Sequence, residues 1–188
     1  MDDTKIEGAL LIGSDGIFST VRRQLELPGD RLNYVGLCVV LGIVDDEILE
    51  IPLAKRRIFE TVDGTTRIYA MPFTIKSTMW QLSFPCSEET ARMYTKDAAT
   101  LKAEITRRCA KWHDPIPEML TKTPLKCMSG YPVYDRELLE TEVLRPKQSI
   151  SRRVTIIGDA AHPMTPFKAQ GANQAISDAV LLANALVE

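Results

Sequence analysis

The run from Arg153 to Val187 limits the folds open to this chain more than any other segment. Arg153 to Ile157 reads as a compact apolar strand, stopped by Gly158-Asp159. Pro163 and Pro166 stiffen the loop that follows. Ala172 to Val187 then reads as a helix. Ile176, Ala179, Val180, Ala183 and Leu186 form its apolar stripe, and Ala172, Ala175 and Ala179 keep one side thin enough for close packing. A strand that turns and re-enters as a helix delivers Asp159 to the carboxyl edge of a sheet, the usual place for a ligand in α/β folds. Gly171 lets a backbone approach a flat ligand without a Cβ in the way. The free amides at the helix start point back at whatever lies there, so the site suits a ligand with negative charge at one edge.

The other end of the chain repeats the pattern in miniature. Ala9 to Ile12 is a short apolar run ended by Gly13-Ser14-Asp15-Gly16, and Ile17 to Leu25 has helical character, with Phe18, Val21 and Leu25 sharing a face until Pro28-Gly29. The middle differs. Tyr34–Val44, Arg57–Val62, Thr66–Pro72 and Met79–Pro85 are rich in β-formers, and Asp63-Gly64 is a hairpin signal between two of them. Successive strands with tight turns favour an antiparallel or mixed sheet. A helix is expected over Asp97–Trp112, with Leu101, Ile105, Cys109 and Trp112 on one face and Asp114-Pro115 at its end. Leu125–Tyr134 reads as a strand interrupted near Gly130 and Pro132, and Asp135–Leu144 as a short helix or a surface loop. The expected fold class is therefore α/β with a β-rich insertion: residues 1–30 and 150–188 form one domain, and residues 31–149 form another.

Composition narrows the function classes. With 188 residues, 45% hydrophobic and 26% charged, the chain can build a core without disulfides or metals. A formal charge of -2, with the pairs Arg22-Arg23, Arg56-Arg57, Arg107-Arg108 and Arg152-Arg153 spread along the chain, gives no clustered positive field for nucleic acid or an anionic membrane. The cysteines Cys38, Cys86, Cys109 and Cys127 lack C-x-x-C spacing, and only His113 and His162 could add imidazole ligands, so no metal site is expected. Reduced thiols in a cytoplasmic setting are the simplest reading. The acidic start is not a secretory signal. The longest apolar run, Val35 to Val44, is about half what a membrane-spanning helix requires.

The stretch Gly158-Asp159-Ala160-Ala161-His162-Pro163, continuing through Gly171-Ala172-Asn173-Gln174-Ala175 to Asp178, resembles the second FAD-binding signature of para-hydroxybenzoate-hydroxylase-type monooxygenases. A second match, Asp15-Gly16-Ile17-Phe18-Ser19-Thr20-Val21-Arg22, is similar to that family's Asp-Gly motif, and the order of the two around a β-rich insertion is the family's order. The resemblance implies a partial, Rossmann-like FAD-binding domain joined to a substrate domain. It also implies a hydroxylase that uses NAD(P)H and O2 on an aromatic or similar small molecule. Asp159 would hold the ribityl chain, and the loop from Pro163 to Gln170, with Pro166, would pass beside the isoalloxazine. Gly171, Ala172 and Asn173 would supply helix-start contacts. Asp15, Gly16, Ser19 and Arg22 would lie near the pyrophosphate, Arg22 as a partner for an anion.

The bland readings stay open beside these. Ser19 could bond only its own helix turn and Arg22 could pair with Glu26. His162 is expected to shape the loop, Lys168 to be exposed, and His113 to close a helix. Trp80, Phe73 and Tyr69 could line an aromatic pocket or sit in the core. Two departures from the family stand out. Ala169 occupies a position where the family usually has glycine. The glycines before residue 29, Gly8, Gly13 and Gly16, lack the Gly-x-Gly-x-x-Gly spacing that grips the ADP half of FAD. The chain thus reads as the C-proximal portion of such a monooxygenase, completed by an N-terminal segment or partner chain. The alternative is a non-catalytic remnant acting as a binding or interaction module.

Overall fold

The computed structural model describes residues 4–51, 57–140 and 153–187. In chain order the elements are β1 (Leu11–Gly13), α1 (Thr20–Gln24), β2 (Leu32–Asp45), β3 (Phe59–Val62), β4 (Arg67–Thr74), β5 (Ser77–Pro85), α2 (Glu88–Lys96), α3 (Ala98–Cys109), α4 (Ile116–Lys122), β6 (Met128–Arg136), β7 (Val154–Ile156) and α5 (Gly171–Val187). They fall into two compact units, one of residues 1–33 with 134–188 and one of residues 34–133. The sequence suggests a middle domain of 31–149; in the structure the boundaries fall inside β2 and β6.

The middle unit is built on a five-stranded sheet in the order β3-β4-β5-β2-β6. β3 with β4, β4 with β5, and β5 with β2 pair antiparallel. The hairpin between β3 and β4 turns at Asp63, whose carboxylate accepts from the amides of Thr65 (3.0 Å) and Thr66 (2.7 Å). The alternation of β-strands sends Cys38, Val40, Ile68, Trp80, Leu82 and Phe84 into one core. Leu101, Ile105 and Cys109 enter it from α3, as their spacing predicts. Asp97 caps α3 by accepting from the amides of Ala99 and Thr100. The indole of Trp80 donates to the hydroxyl of Thr123 at 2.9 Å, which itself donates to the carbonyl of Met119 at 2.7 Å, so the largest core ring has its polar atom satisfied.

Burial pushes the Cys38 thiol up to about 12 and the Cys109 thiol to about 11, leaving both as inert core groups. Two helices escape the sequence pattern. α2 buries only Ala91 and Tyr94 along its length, and α4 carries Pro117 in its first turn, which masks a helical signal. β6 runs through Gly130 and Pro132 without a break. Residues 137–140 have no regular structure, and the rest of the stretch expected to be a helix or loop up to Leu144 lies outside the described residues.

In the terminal unit the two ends of the chain meet. β1 and β7 pair in parallel, Leu11 with Val154 and Gly13 with Ile156. Gly13 makes this possible, because a Cβ there would stand 2.8 Å from Val21 and 2.9 Å from Ile156. Helix α1 begins later than its apolar spacing suggests. Ser19 is its cap and accepts from the amide of Arg22 at 2.9 Å, leaving Phe18 outside, edge-on to Tyr134 at 6.1 Å. α5 forms over the expected range, yet no described residue along it is buried, and Ile176, Val180 and Leu181 are exposed. Among the described residues no helix is long and apolar enough to cross a membrane.

Candidate functional site

Parallel pairing places the carboxyl ends of β1 and β7 at one edge of their sheet. The turn Ser14-Asp15-Gly16 and the turn Gly158-Asp159 therefore emerge side by side. Between them and the start of α5 lies a cleft of about 420 Å³, lined by Ser14, Gly16, Ile157, Gly158, Asp159, Gly171, Ala172 and Ala175. Apart from Ile157 its walls are small, and among the described residues Asp159 supplies the one ionisable side chain. A Cβ on Gly171 would stand 3.7 Å from the Asp159 carboxylate, so the carboxylate and the first turn of α5 face the same space. That first turn holds no acidic residue, which leaves the positive end of the helix available to a ligand.

Gly158 and Ala160 form a tight 3-10 turn around Asp159. Gly158 takes φ +58°, and a Cβ there would lie 3.2 Å from the Cβ of Ala175. The turn is fastened on the helix side by Asp178, which accepts from the amide of Gly158 (2.8 Å) and bonds the ring of His162 (2.6 Å). His162 thus ties the loop to α5, the shaping role expected of it.

The Asp-Gly segment lies mostly behind the cleft. Asp15 accepts from the hydroxyl of Ser19 and from the amides of Thr20 (2.7 Å) and Val21 (3.3 Å), so its carboxylate supports the Ser19 cap and takes up two further free amides of the first turn of α1. The Ser19 hydroxyl bond, with help from those amides, holds Asp15 below the usual aspartate range. A depressed folded value means the stabilisation is fully present above the unfolded pKa and is lost as pH falls through the lowered one. Protection of the Thr20 and Val21 amides, taken against their intrinsic exchange rates, is therefore expected to fall in acid, below the ordinary aspartate range. Protection that stays constant through the acid range would remove Asp15 from the support of that turn.

Ser19 is fully buried and Arg22 is 1% exposed. The Arg22 guanidinium donates to the Asp30 carboxylate (3.0 Å) and to the carbonyls of Ala160 (2.9 Å) and Ala161. Glu26, the alternative partner read from spacing, is not among these contacts. Pro166 opens a short exposed turn through Lys168, and Asn173 is exposed at the start of α5, bonded to Gln170. The cleft thus gathers Asp159, Gly171, Ala172 and Gly16 from the residues singled out by sequence. Asp15, Ser19 and Arg22 serve as its support. Trp80, Phe73 and Tyr69 do not share one pocket: Trp80 is in the core, Phe73 is exposed, and Tyr69 is half-buried and bonds Gln81.

Ala169 adopts φ +50° and ψ +30°, the left-handed conformation that glycine would occupy without strain. Relief of about 1–2 kcal/mol of strain, set against about 0.4–1 kcal/mol from a freer unfolded chain, makes Ala169→Gly a stabilising change of roughly 0.5–1 kcal/mol. Urea unfolding of the two forms checks this, and a lower midpoint for the glycine variant would contradict it.

Sequence reasoning missed Gly158 as a conformational requirement and Ser14, Ile157 and Ala175 as cleft walls. The small-residue spacing Ala172-Ala175-Ala179 was the one signal available for Ala175.

These features fit the ribityl and ring side of a flavin: a glycine- and alanine-walled slot, one carboxylate for hydroxyl groups, and a helix start for a negative edge. The family model described as FAD binding domain matches residues 2–188. Aurachin C monooxygenase/isomerase of Stigmatella aurantiaca is 32% identical over 98% of this chain and 44% of its own length. Phenazine 1,6-dicarboxylic acid hydroxylase PhzS of Lysobacter antibioticus is 30% identical over 96% of this chain and 44% of its own. Among solved structures, HpxO of Klebsiella pneumoniae complexed with FAD and uric acid superposes with a TM-score of 0.76 at 25% identity, over 94% of this chain and 42% of that one. PqsL of Pseudomonas aeruginosa in complex with 2-aminobenzoylacetate gives 0.66 at 26% identity, over 95% of this chain and 45% of that one. The chain spans a little under half the length of these relatives. It belongs to the FAD binding domain family, the family of flavin-dependent monooxygenases and hydroxylases.

Proposed function

We propose that this chain forms the ribityl and ring side of the FAD site in a monooxygenase that hydroxylates an aromatic or similar small molecule with NAD(P)H and O2. The observation that carries the reading is the cleft at the shared carboxyl edge of β1 and β7, where Asp159 faces the first turn of α5. Asp159 accepts hydrogen bonds from ribityl hydroxyls, and the amides of Gly171, Ala172 and Asn173 hold the negative edge of the ring system. Pro166 and its turn flank the ring. Gly16 borders the pyrophosphate end of the slot, while Asp15, Ser19 and Arg22 brace its wall from behind, through bonds among themselves and to the Ala160 and Ala161 carbonyls. When bound, FAD supplies the acceptance of a hydride from NAD(P)H and the activation of oxygen.

The partner is a small-molecule substrate, in keeping with the uric acid and 2-aminobenzoylacetate bound to HpxO and PqsL. A further partner is a polypeptide segment with a Gly-x-Gly-x-x-Gly turn that grips the ADP half. Leu11, Ile12, Ile176 and Val180, exposed on the terminal unit, support such a neighbour. Free thiols at Cys38, Cys86, Cys109 and Cys127 support a cytoplasmic setting.

The test is retention of FAD after desalting, with this chain alone and with a Gly-x-Gly-x-x-Gly strand–helix segment supplied. Retained flavin that NAD(P)H reduces supports the monooxygenase reading. Failure under both conditions would leave the chain as a binding module without cofactor.

A further inference from the structure

We infer that Arg22 is a positioning residue for the cofactor turn, acting on FAD through Asp159. The inference rests on the role proposed for Asp159 and adds a second layer to it.

Arg22 is an unusual side chain to bury in so small a unit, and its contacts show what the burial achieves. Its guanidinium reaches back from α1 to a turn 138 residues further along the chain, donating to the carbonyls of Ala160 and Ala161. These are the two residues that follow Asp159. The same guanidinium is held in place by Asp30, whose Oδ1 also accepts from Arg136 at 2.7 Å. Arg136 in turn donates to the carbonyl of Ile17 at 3.2 Å, just before α1. The turn is therefore gripped on its carbonyls by Arg22 and on its first amide by Asp178. Between these grips Asp159 has little freedom in its backbone, although its side chain is open to the cleft.

Arg22 cannot at the same time be a free anion clamp. It is 1% exposed, its Nη1 and Nε atoms are spent on two carbonyls and a carboxylate, and Nη2, which meets no acceptor among the described residues, is buried with them. The guanidinium reaches Asp30 from Nε and the two carbonyls from Nη1 in one fixed plane; lysine has three donors too, but all on one nitrogen, which cannot sit at both places. The Asp-Gly segment is thereby coupled to the second motif, and the coupling is reciprocal: a ligand that immobilises Asp159 stabilises α1, and a loosened α1 weakens that ligand.

The experiment is a double-mutant cycle with FAD as the probe, on the FAD-holding protein, using Arg22→Lys, Asp159→Ala and the double variant. Arg22→Lys keeps the charge beside Asp30 and so protects the fold, while breaking the grip on the carbonyls. Amide exchange at Ala161 and His162, which donate to the Gly158 carbonyl, is read on the same variants without FAD.

Arg22→Lys is expected to weaken FAD binding by about tenfold, the scale of one lost charge-assisted contact, and to accelerate exchange at Ala161 and His162. The double variant is expected to bind no worse than Asp159→Ala alone, because Arg22 works through the group already removed. Additive losses would overturn the inference and make Arg22 an independent contact. Unchanged exchange in Arg22→Lys would overturn it as well, whatever the FAD result. Should Asp159→Ala alone leave FAD binding intact, the proposed role of Asp159 fails, and the exchange data still decide whether Arg22 braces the turn.

Discussion

Replacing Asp30 with alanine is expected to cost the terminal unit about 3–5 kcal/mol, the penalty for removing one partner of a buried ion pair. Two guanidinium groups, Arg22 and Arg136, converge on the single oxygen Oδ1 of Asp30 at 3.0 and 2.7 Å. The side chains of both arginines are at most 8% exposed, so neither can turn to water when the carboxylate is gone. The cluster already carries excess positive charge. Arg22 Nη2 and Arg136 Nε meet no acceptor among the described residues. Asp30→Asn keeps an acceptor oxygen in the same place but loses the charge, so it should fall between wild type and alanine.

The choice of probe matters here. Trp80 and Trp112 both belong to the unit of residues 34–133, so tryptophan fluorescence reports on the wrong half of the chain. Amide exchange across α1 and the Gly158–His162 turn, read along a urea series, follows the affected unit. A loss below about 1 kcal/mol, the value of an exposed surface pair, would show that the cluster is not a structural centre.

The second large effect belongs to Gly158. Its φ of +58° strains any L side chain, and the added Cβ would sit 3.2 Å from the Cβ of Ala175. Left-handed strain of about 1–2 kcal/mol and crowding of about 1–3 kcal/mol, less about 0.4–1 kcal/mol from a stiffer unfolded chain, leave an expected loss of about 2–4 kcal/mol for Gly158→Ala. The two parts can be separated. Ala175→Gly removes the crowding and leaves the strain, so Gly158→Ala should cost roughly half as much in the Ala175→Gly background, measured against Ala175→Gly alone to cancel the cost of about 0.5–1 kcal/mol of a glycine inside α5. No cost in that background would mean the backbone conformation is no constraint, and an undiminished cost would mean α5 does not pack on the turn as described.

Much of this architecture is legible in the sequence because its signals are local. The strand–turn–helix at each end, the strands of the middle sheet and the buried face Leu101–Ile105–Cys109 of α3 all follow from period and punctuation. Asp159, Gly171 and Ala172 are found in the cleft because a strand end and a helix start must lie at one sheet edge. Even the strain at Ala169 is foreshadowed by a missing glycine.

What is not legible depends on distant partners. Nothing near Arg22 in sequence announces the Ala160 carbonyl 138 residues away, or that Arg136 shares Asp30 across 106 residues. Spacing alone offered Glu26, one helical turn on. α2 and α4 escaped because one is mostly polar and the other opens on a proline. The apolar stripe of α5 is correct as a pattern, but a pattern cannot say whether its face is covered. In this chain Ile176, Val180 and Leu186 remain exposed.

The most direct measurement is an FAD titration of the wild-type chain and of Asp159→Ala, each with a Gly-x-Gly-x-x-Gly segment supplied, followed by flavin fluorescence. Loss of charge-assisted bonds to the ribityl hydroxyls is expected to raise the Kd about ten- to a hundredfold, with amide exchange in the middle unit unchanged. Equal affinities for the two forms would contradict the assignment of the cleft at Asp159 as the flavin site.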